Sequence, residues 1–195
     1  AEEDQKDLPK EEKVKPQRMD IVPDINDHNW WQFWRTRNEL YETIGIGSLK
    51  YYLLKVDPKK KMLFNPKESI DLNGNTAPFI QYGYARIQSL LRKADLSENK
   101  FATDLKVQSC ELILLQNILE YPKILNEAAD KLMPSIVCSY VYNLVKSYNS
   151  FYHSVSILKE TDIELRKFRL LLSKKTGDVI FNSMSLLGIN VPDRM

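Results

Sequence analysis

Residues 73–94 read NGNTAPFIQYGYARIQSLLRKA, and the fold turns on how that stretch is read. Ile80, Tyr84, Ile87, Leu91 and Ala94 recur at helical spacing, which predicts a helix over residues 77–94 with this stripe turned toward a core. Asn75 or Thr76 can cap the first turn with a side-chain oxygen. Pro78 is tolerated there because the N–H groups of a first turn have no intrahelical acceptor. A second row, Phe79, Tyr82 and Arg86 at i, i+3 and i+7, lies along a flank of the same helix, with Tyr82 and Arg86 near enough for a cation–π contact. This row is expected to dock against the N-terminal segment of the chain.

Downstream the helical pattern continues. A helix is expected over residues 103–121, stopping at Pro122, with Leu105, Leu112, Leu115 and Leu119 inward, and a shorter one over 124–131. Pro134 interrupts the chain again, and Ser135 caps a helix running through Val141, Leu144, Tyr148 and Tyr152. Thr161 opens the last helix, Glu164 completes a Thr-x-x-Glu capping box, and Gly188 closes it after Leu187. Brief loops and no alternating strand pattern predict an all-α fold, a helical bundle over residues 76–195.

Upstream, residues 1–27 are polar and proline-punctuated without periodicity, and read as a flexible leader. Residues 28–75 form a connector. Trp30, Trp31 and Trp34 precede a helical pattern through Leu40, Ile44, Leu49, Tyr52 and Leu53 that Pro58 ends; Met62, Leu63 and Phe64 then form a candidate extended piece between turn signals.

With 195 residues, 43% of them hydrophobic, the chain can bury a real core. No run approaches the roughly eighteen apolar residues of a membrane span, and the charged opening AEEDQKDLPKEEKVK does not read as a signal peptide, so a cytoplasmic location is expected. Cys110 and Cys138 lie in apolar helical patterns and read as buried free thiols. Residues 1–27 carry nine acidic and five basic side chains, leaving 23 basic and 17 acidic over the remainder, a modest excess that suits a polyanion.

Catalytic constellations are lacking. His28 and His153, in different segments, are too few for a metal cluster or a Cys/His nucleophile pair. Gly45-Ile46-Gly47 follows no strand and reads as a helix junction, KKKMLF at 59–64 as a solvated basic turn, and the carboxylates are dispersed over helix faces. The chain does not read as a catalyst by itself. What remains is binding equipment: Asn149, Tyr152 and His153 at a helix end supply hydrogen-bonding groups and ring faces of the kind that unstacked RNA bases require, while Phe151 reads as core. Lys159, Arg166, Lys167, Arg169, Lys174 and Lys175 flank them and can meet phosphates.

NGNTAPFIQYGYARIQSLLRKA resembles the helix opening the C-terminal anticodon-binding (DALR-type) domain of arginyl-tRNA synthetases, where a Gly-Asn-Thr-x-Pro-x-x-Gln-Tyr-x-x-x-Arg pattern recurs. SYVYNLVKSYNSFYHSVSIL, ELRKFRLLLSKKT and the terminal SLLGINVPDRM are similar to the later helices and end of that family, and residues 42–72 to the stretch joining its catalytic core to the helical domain. The His-Ile-Gly-His and Lys-Met-Ser-Lys-Ser type motifs of class I synthetases and the family's N-terminal tRNA-binding domain do not occur here, and residues 1–41 match nothing in the pattern.

The resemblance implies the anticodon-side module of an arginine–tRNA ligase, a C-terminal fragment inactive alone. Its partner is tRNA(Arg), not DNA or a membrane, and its parent is a monomer in which ATP, Mg²⁺ and arginine belong to the absent part. It implies that Phe79, Tyr82 and Arg86 face the connector and catalytic body. It also implies that Asn149, Tyr152, His153 and Met195 meet the anticodon; Arg166 and Lys174, from the basic residues flanking them, are expected to bind the tRNA through its phosphates. The rival reading is a helical protein-interaction domain gripping a partner through Trp30, Trp31 and Trp34. Another class I synthetase's helical domain fits the LLGINVPDRM ending less well.

Overall fold

The computed structural model describes the backbone of residues 30–94 and 105–195 and the side chains of residues 37–94 and 105–195. The leader, His28 and the side chains of Trp30, Trp31 and Trp34 lie outside the described residues. The chain divides into Ala1–Arg35 and Thr36–Met195, and the second unit holds the bundle. Among the described residues there are six helices and no strand: α1 (Trp30–Leu54), α2 (Pro66–Ser69), α3 (Ala77–Arg92), α4 (Ser109–Lys131), α5 (Pro134–Ser154) and α6 (Ile163–Leu186).

The long helix α3 starts as its sequence dictates, with Thr76 Oγ1 accepting from the Phe79 N–H and proline in the first turn. Its buried face is Ile80, Tyr84, Ile87 and Leu90, joined by Ala77, Gln81, Gly83 and Ala85; Leu91 and Ala94, expected inward, are only partly buried. Two glycines set its crossings. A Cβ on Gly83 would stand 2.6 Å from Val145 Cγ1 of α5, and one on Gly177 of α6 would stand 3.1 Å from Ile87 Cγ2 of α3, so bare backbone lets both neighbours approach.

Helix α4 corrects the sequence reading. It runs unbroken through Pro122 to Lys131, where two helices were expected, and it starts at Ser109, so Leu105 precedes it. Its inward residues are Glu111 and Leu114, with Leu115, Ile118, Tyr121 and Leu125 packed against the core; Leu112 and Leu119 are exposed. Contact with α5 explains the continuity: Tyr121 stacks on Tyr140 at 5.6 Å, and the Tyr140 hydroxyl donates to the Asn117 carbonyl at 2.8 Å, one residue from the carbonyl that Pro122 leaves without its helical donor. Pro122 itself faces solvent.

Leu132, in the left-handed region at φ 53°, turns the chain between α4 and α5, with Met133 N–H returning to the Ala128 carbonyl. Pro134 is the first residue of α5 and Met133 its N-cap, where Ser135 was expected. For α6 the cap is Asp162, whose Oδ1 accepts from Glu164 N–H and Leu165 N–H; Thr161 lies outside the helix, and Glu164 pairs with Lys167 at 3.2 Å. Gly188, at φ 68°, ends α6 with Ile189 N–H bonded to Met184 O and Gly188 N–H to Ser185 O, a Schellman arrangement.

Helix α1 is anchored through Tyr51, fully buried, whose hydroxyl lies 2.6 Å from Asn75 Oδ1 and 2.9 Å from the Cys138 carbonyl. Gly45 to Gly47 lies within this continuous helix, not at a junction. Its exposed positions include Leu49 and Leu53 of the apolar pattern. Residues 61–65 are irregular and are followed by the single turn of α2, so no strand forms at Met62 to Phe64. Cys138 is buried and free, its thiol pushed up to about 12 by desolvation, and Cys110 is partly buried and free.

Candidate nucleic-acid interface

Arg86 organises the site. Its guanidinium carbon lies 4.9 Å from the Tyr82 ring centre and 5.3 Å from that of Tyr152, and its Nη1 donates to Asn149 Oδ1 at 2.8 Å. Two ring contacts hold the planar cation and one hydrogen bond fixes its rotation. The arrangement follows from spacing. Tyr82 and Arg86 are four apart on α3, Asn149 and Tyr152 three apart near the end of α5, and the tight crossing at Gly83 brings the two pairs together. Two residues of the second row of α3 thus meet α5: Arg86 reaches Asn149 and Tyr152, and Phe79 packs on Tyr142 at 5.3 Å.

Beside this cluster opens a cavity of about 470 Å³, a size typical of small-ligand sites. Tyr82, Arg86 and Arg92 of α3 and its C-cap Lys93 line one side, Tyr152 and Leu158 another, and Arg194 and Met195 of the C-terminal tail a third. Four cations and no carboxylate side chain face the space, which makes it attractive to an anion, and the two tyrosines add ring surface. Tyr82 is 48% exposed and therefore keeps ring area for a ligand. Desolvation raises the Tyr84 phenol on the same helix, with the Asp193 carboxylate of the tail the next cause.

The residues singled out from sequence separate into three groups. Asn149, Tyr152 and Met195 meet at or beside the cavity, together with Tyr82 and Arg86. His153 is exposed and meets Tyr152 edge-on at 5.9 Å without lining the space. Arg166, half-buried, and Lys174, exposed, lie on α6 and do not line it. Phe151 is core, as its pattern indicates. Lys159 is exposed one residue beyond the lining Leu158.

Arg169 is a correction. Expected to meet phosphate, it is buried, with Nε donating to Glu111 Oε1 at 2.6 Å and Nη1 to Glu160 Oε2 at 2.6 Å and to the Ser156 carbonyl at 3.1 Å. It ties the start of α4 to the α5–α6 loop. Hydrogen bonds from Asp162 and Thr161 N–H, then the Arg169 charge, hold the Glu160 carboxyl below its ordinary range.

Sequence reading missed Arg92, Lys93, Leu158 and Arg194. The signal for Lys93 was present: it follows Tyr82 and Arg86 along one face of α3 at helical steps, a basic continuation of the aromatic row. Among the described residues no group of three or more His, Cys, Asp or Glu side chains is placed to hold a metal ion. No helix of the described residues is long and apolar enough to cross a membrane.

Comparison with known proteins adds an independent line. The family described as DALR anticodon binding domain matches residues 80–195. The chain is 53% identical over 156 residues to an arginine–tRNA ligase of Flavobacterium psychrophilum, covering 80% of this chain and 26% of that protein. It is 47% identical over 161 residues to one of Porphyromonas gingivalis, covering 80% and 27%. Among solved structures, the arginyl-tRNA synthetase of Thermus thermophilus superposes with a TM-score of 0.74 at 28% identity, covering 82% of this chain and 28% of that one. That of Plasmodium falciparum superposes at 0.73 and 25% identity, covering 86% and 31%. The chain spans about a quarter of the length of the curated relatives it matches.

Proposed function

Since the chain belongs to the DALR anticodon-binding domain family, we propose that it is the tRNA-binding module of an arginine–tRNA ligase and that the groove between α3, α5 and the C-terminal tail receives an unpaired anticodon nucleotide. The observation that carries this reading is Arg86 held between Tyr82 and Tyr152 at the edge of a cavity ringed by Arg92, Lys93 and Arg194. A flat, cationic, ring-lined surface accepts a base by stacking while neighbouring cations take its phosphates. Asn149, already engaged by Arg86, positions the guanidinium and keeps amide capacity for a base edge.

The chemistry of aminoacylation is assigned to the rest of the parent enzyme. This sequence carries no His-Ile-Gly-His or Lys-Met-Ser-Lys-Ser type motif, so ATP, Mg²⁺ and arginine are assigned to the upstream region of the relatives and the isolated chain is expected to be inactive. A cytoplasmic, monomeric parent fits this reading. The rival protein-interaction reading rests on Trp30, Trp31 and Trp34, and the family match does not support it.

The test is electrophoretic titration of the chain with tRNA(Arg) transcript and with non-arginine transcripts. Tyr152→Ala and Tyr82→Ala each weaken binding by about 1–3 kcal/mol, the usual contribution of one aromatic stack. His153→Ala, outside the cavity, has a smaller effect. Binding falls steeply with salt, because released counterions accompany each phosphate contact. Undiminished affinity in both tyrosine variants, with the fold intact, removes the proposal.

A further inference from the structure

Resting on the RNA-binding reading above, we propose that Gln81 is a positioning residue for recognition: its buried amide tethers the tail after α6 and thereby sets where Met195 and Arg194 stand in the groove. The tail, residues 189–195, has no regular secondary structure, so its carbonyls find partners elsewhere. Three side chains supply them along this stretch and its leading turn. Lys50 Nζ of α1 donates to the Gly188 carbonyl at 2.6 Å, Gln81 Nε2 of α3 to the Asn190 carbonyl at 2.8 Å, and Arg92 Nη1 of α3 to the Asp193 carbonyl at 3.1 Å. Lys50 and Arg92 are exposed and compete with water; Gln81 is fully buried, so its bond is the one the surroundings strengthen.

Two observations show that the site is built for this amide. First, Gln81 Oε1 is buried and has no hydrogen-bond partner, an expense that a leucine of similar size would avoid. The donor end explains the residue: Nε2 reaches both Asn190 O and, at 3.4 Å, the Thr43 carbonyl of α1. Second, α1 carries glycine where the amide and tail pass. A Cβ on Gly47 would stand 2.9 Å from Gln81 Nε2 and 3.1 Å from Ile189 Cγ2. Gly188 at φ 68° turns the chain back into this clasp, and Ile189 is 2% exposed. The neighbour of Gln81 along α3 is Tyr82, which lines the groove, so one helix holds the tail with one residue and the ligand space with the next.

The experiment uses the full chain labelled with ¹³C-methyl methionine, the Met195 resonance being assigned by Met195→Leu. Gln81→Leu, without RNA, moves the Met195 methyl to its unstructured position while the methyl of Met184 in the core stays. Lys50→Ala, an exposed tether outside the groove, moves it part-way and serves if Gln81→Leu does not fold. In titration with tRNA(Arg) transcript, Gln81→Leu weakens binding about tenfold, within the range of one lost stacking contact. In a chain lacking residues 191–195 it has no further effect.

A folded Gln81→Leu with an unmoved Met195 methyl overturns the inference. So does an equal loss of affinity with and without the tail. If Tyr82→Ala, Tyr152→Ala and the tail deletion all leave RNA affinity unchanged, the RNA reading fails instead, and the methyl shift still decides whether Gln81 holds the tail.

Discussion

Replacing Arg169 by methionine separates a structural cation from an RNA contact. Methionine fills much of the arginine stem but leaves the Glu111 carboxylate, 0% exposed, without its cation. Three hydrogen bonds from the guanidinium go at once, to Glu111, Glu160 and Ser156. Breaking a buried pair by removing one partner costs about 3–5 kcal/mol. The lower part of that range applies here, because Glu111 Oε2 still accepts from the Gln108 N–H at 2.6 Å and so keeps one compensating bond. A loss of about 3 kcal/mol is a large share of the roughly 5–15 kcal/mol that holds a domain together, and lowers the midpoint by on the order of 10 °C.

Urea unfolding followed by circular dichroism measures it. The companion variant, Glu111→Gln together with Arg169→Met, recovers part of the loss, because a neutral amide needs no cation and still accepts from Gln108 N–H. RNA affinity, measured where the variant is folded, stays unchanged. If Arg169→Met costs less than about 1 kcal/mol and instead weakens RNA binding with a shallower salt slope, the buried-pair reasoning is wrong.

Gly83→Ala forces a methyl to within 2.6 Å of Val145 Cγ1, so α3 and α5 must part or Val145 must turn; a loss of about 1–3 kcal/mol in urea unfolding is expected, with weaker RNA binding because the groove depends on that crossing. Leu132→Gly relieves a left-handed leucine that is 83% exposed and loses little packing, and raises stability by about 0.5–1 kcal/mol in the same assay. Glu160 has its carboxyl held low in the folded state, so its contribution is present above the ordinary carboxylate range and is lost as pH falls through the folded value. Wild type is therefore more stable than Glu160→Gln at neutral pH, and the gap closes in acid unfolding below about pH 4.

Helix α3 shows how far local information reaches. Its cap, its proline and its stripe through Ile80, Tyr84 and Ile87 depend on neighbours within four residues, and all stand where spacing puts them. The Gly188 stop is equally local. Helix α4 shows the limit. In CELILLQNILE apolar residues are nearly continuous, so periodicity alone does not choose between the faces led by Leu112 and by Leu114. Contact with α5 chooses, and the same contact carries the helix past Pro122.

The candidate site divides in the same way. Asn149, Tyr152 and Met195 could be named from chemistry and resemblance, and Tyr82 and Arg86 were visible as a row, but nothing along the chain says that these two sets meet. Residues 63 apart join through the Arg86–Asn149 bond only because a glycine on α3 lets α5 come close. Arg169 went the other way, drawn inside by Glu111 fifty-eight residues earlier. Short-range sterics and hydrogen bonding thus determined that these segments are helical, where α3 begins and where α6 stops. Which side chains face each other, and which cations remain for a ligand, was decided by packing between segments distant in sequence.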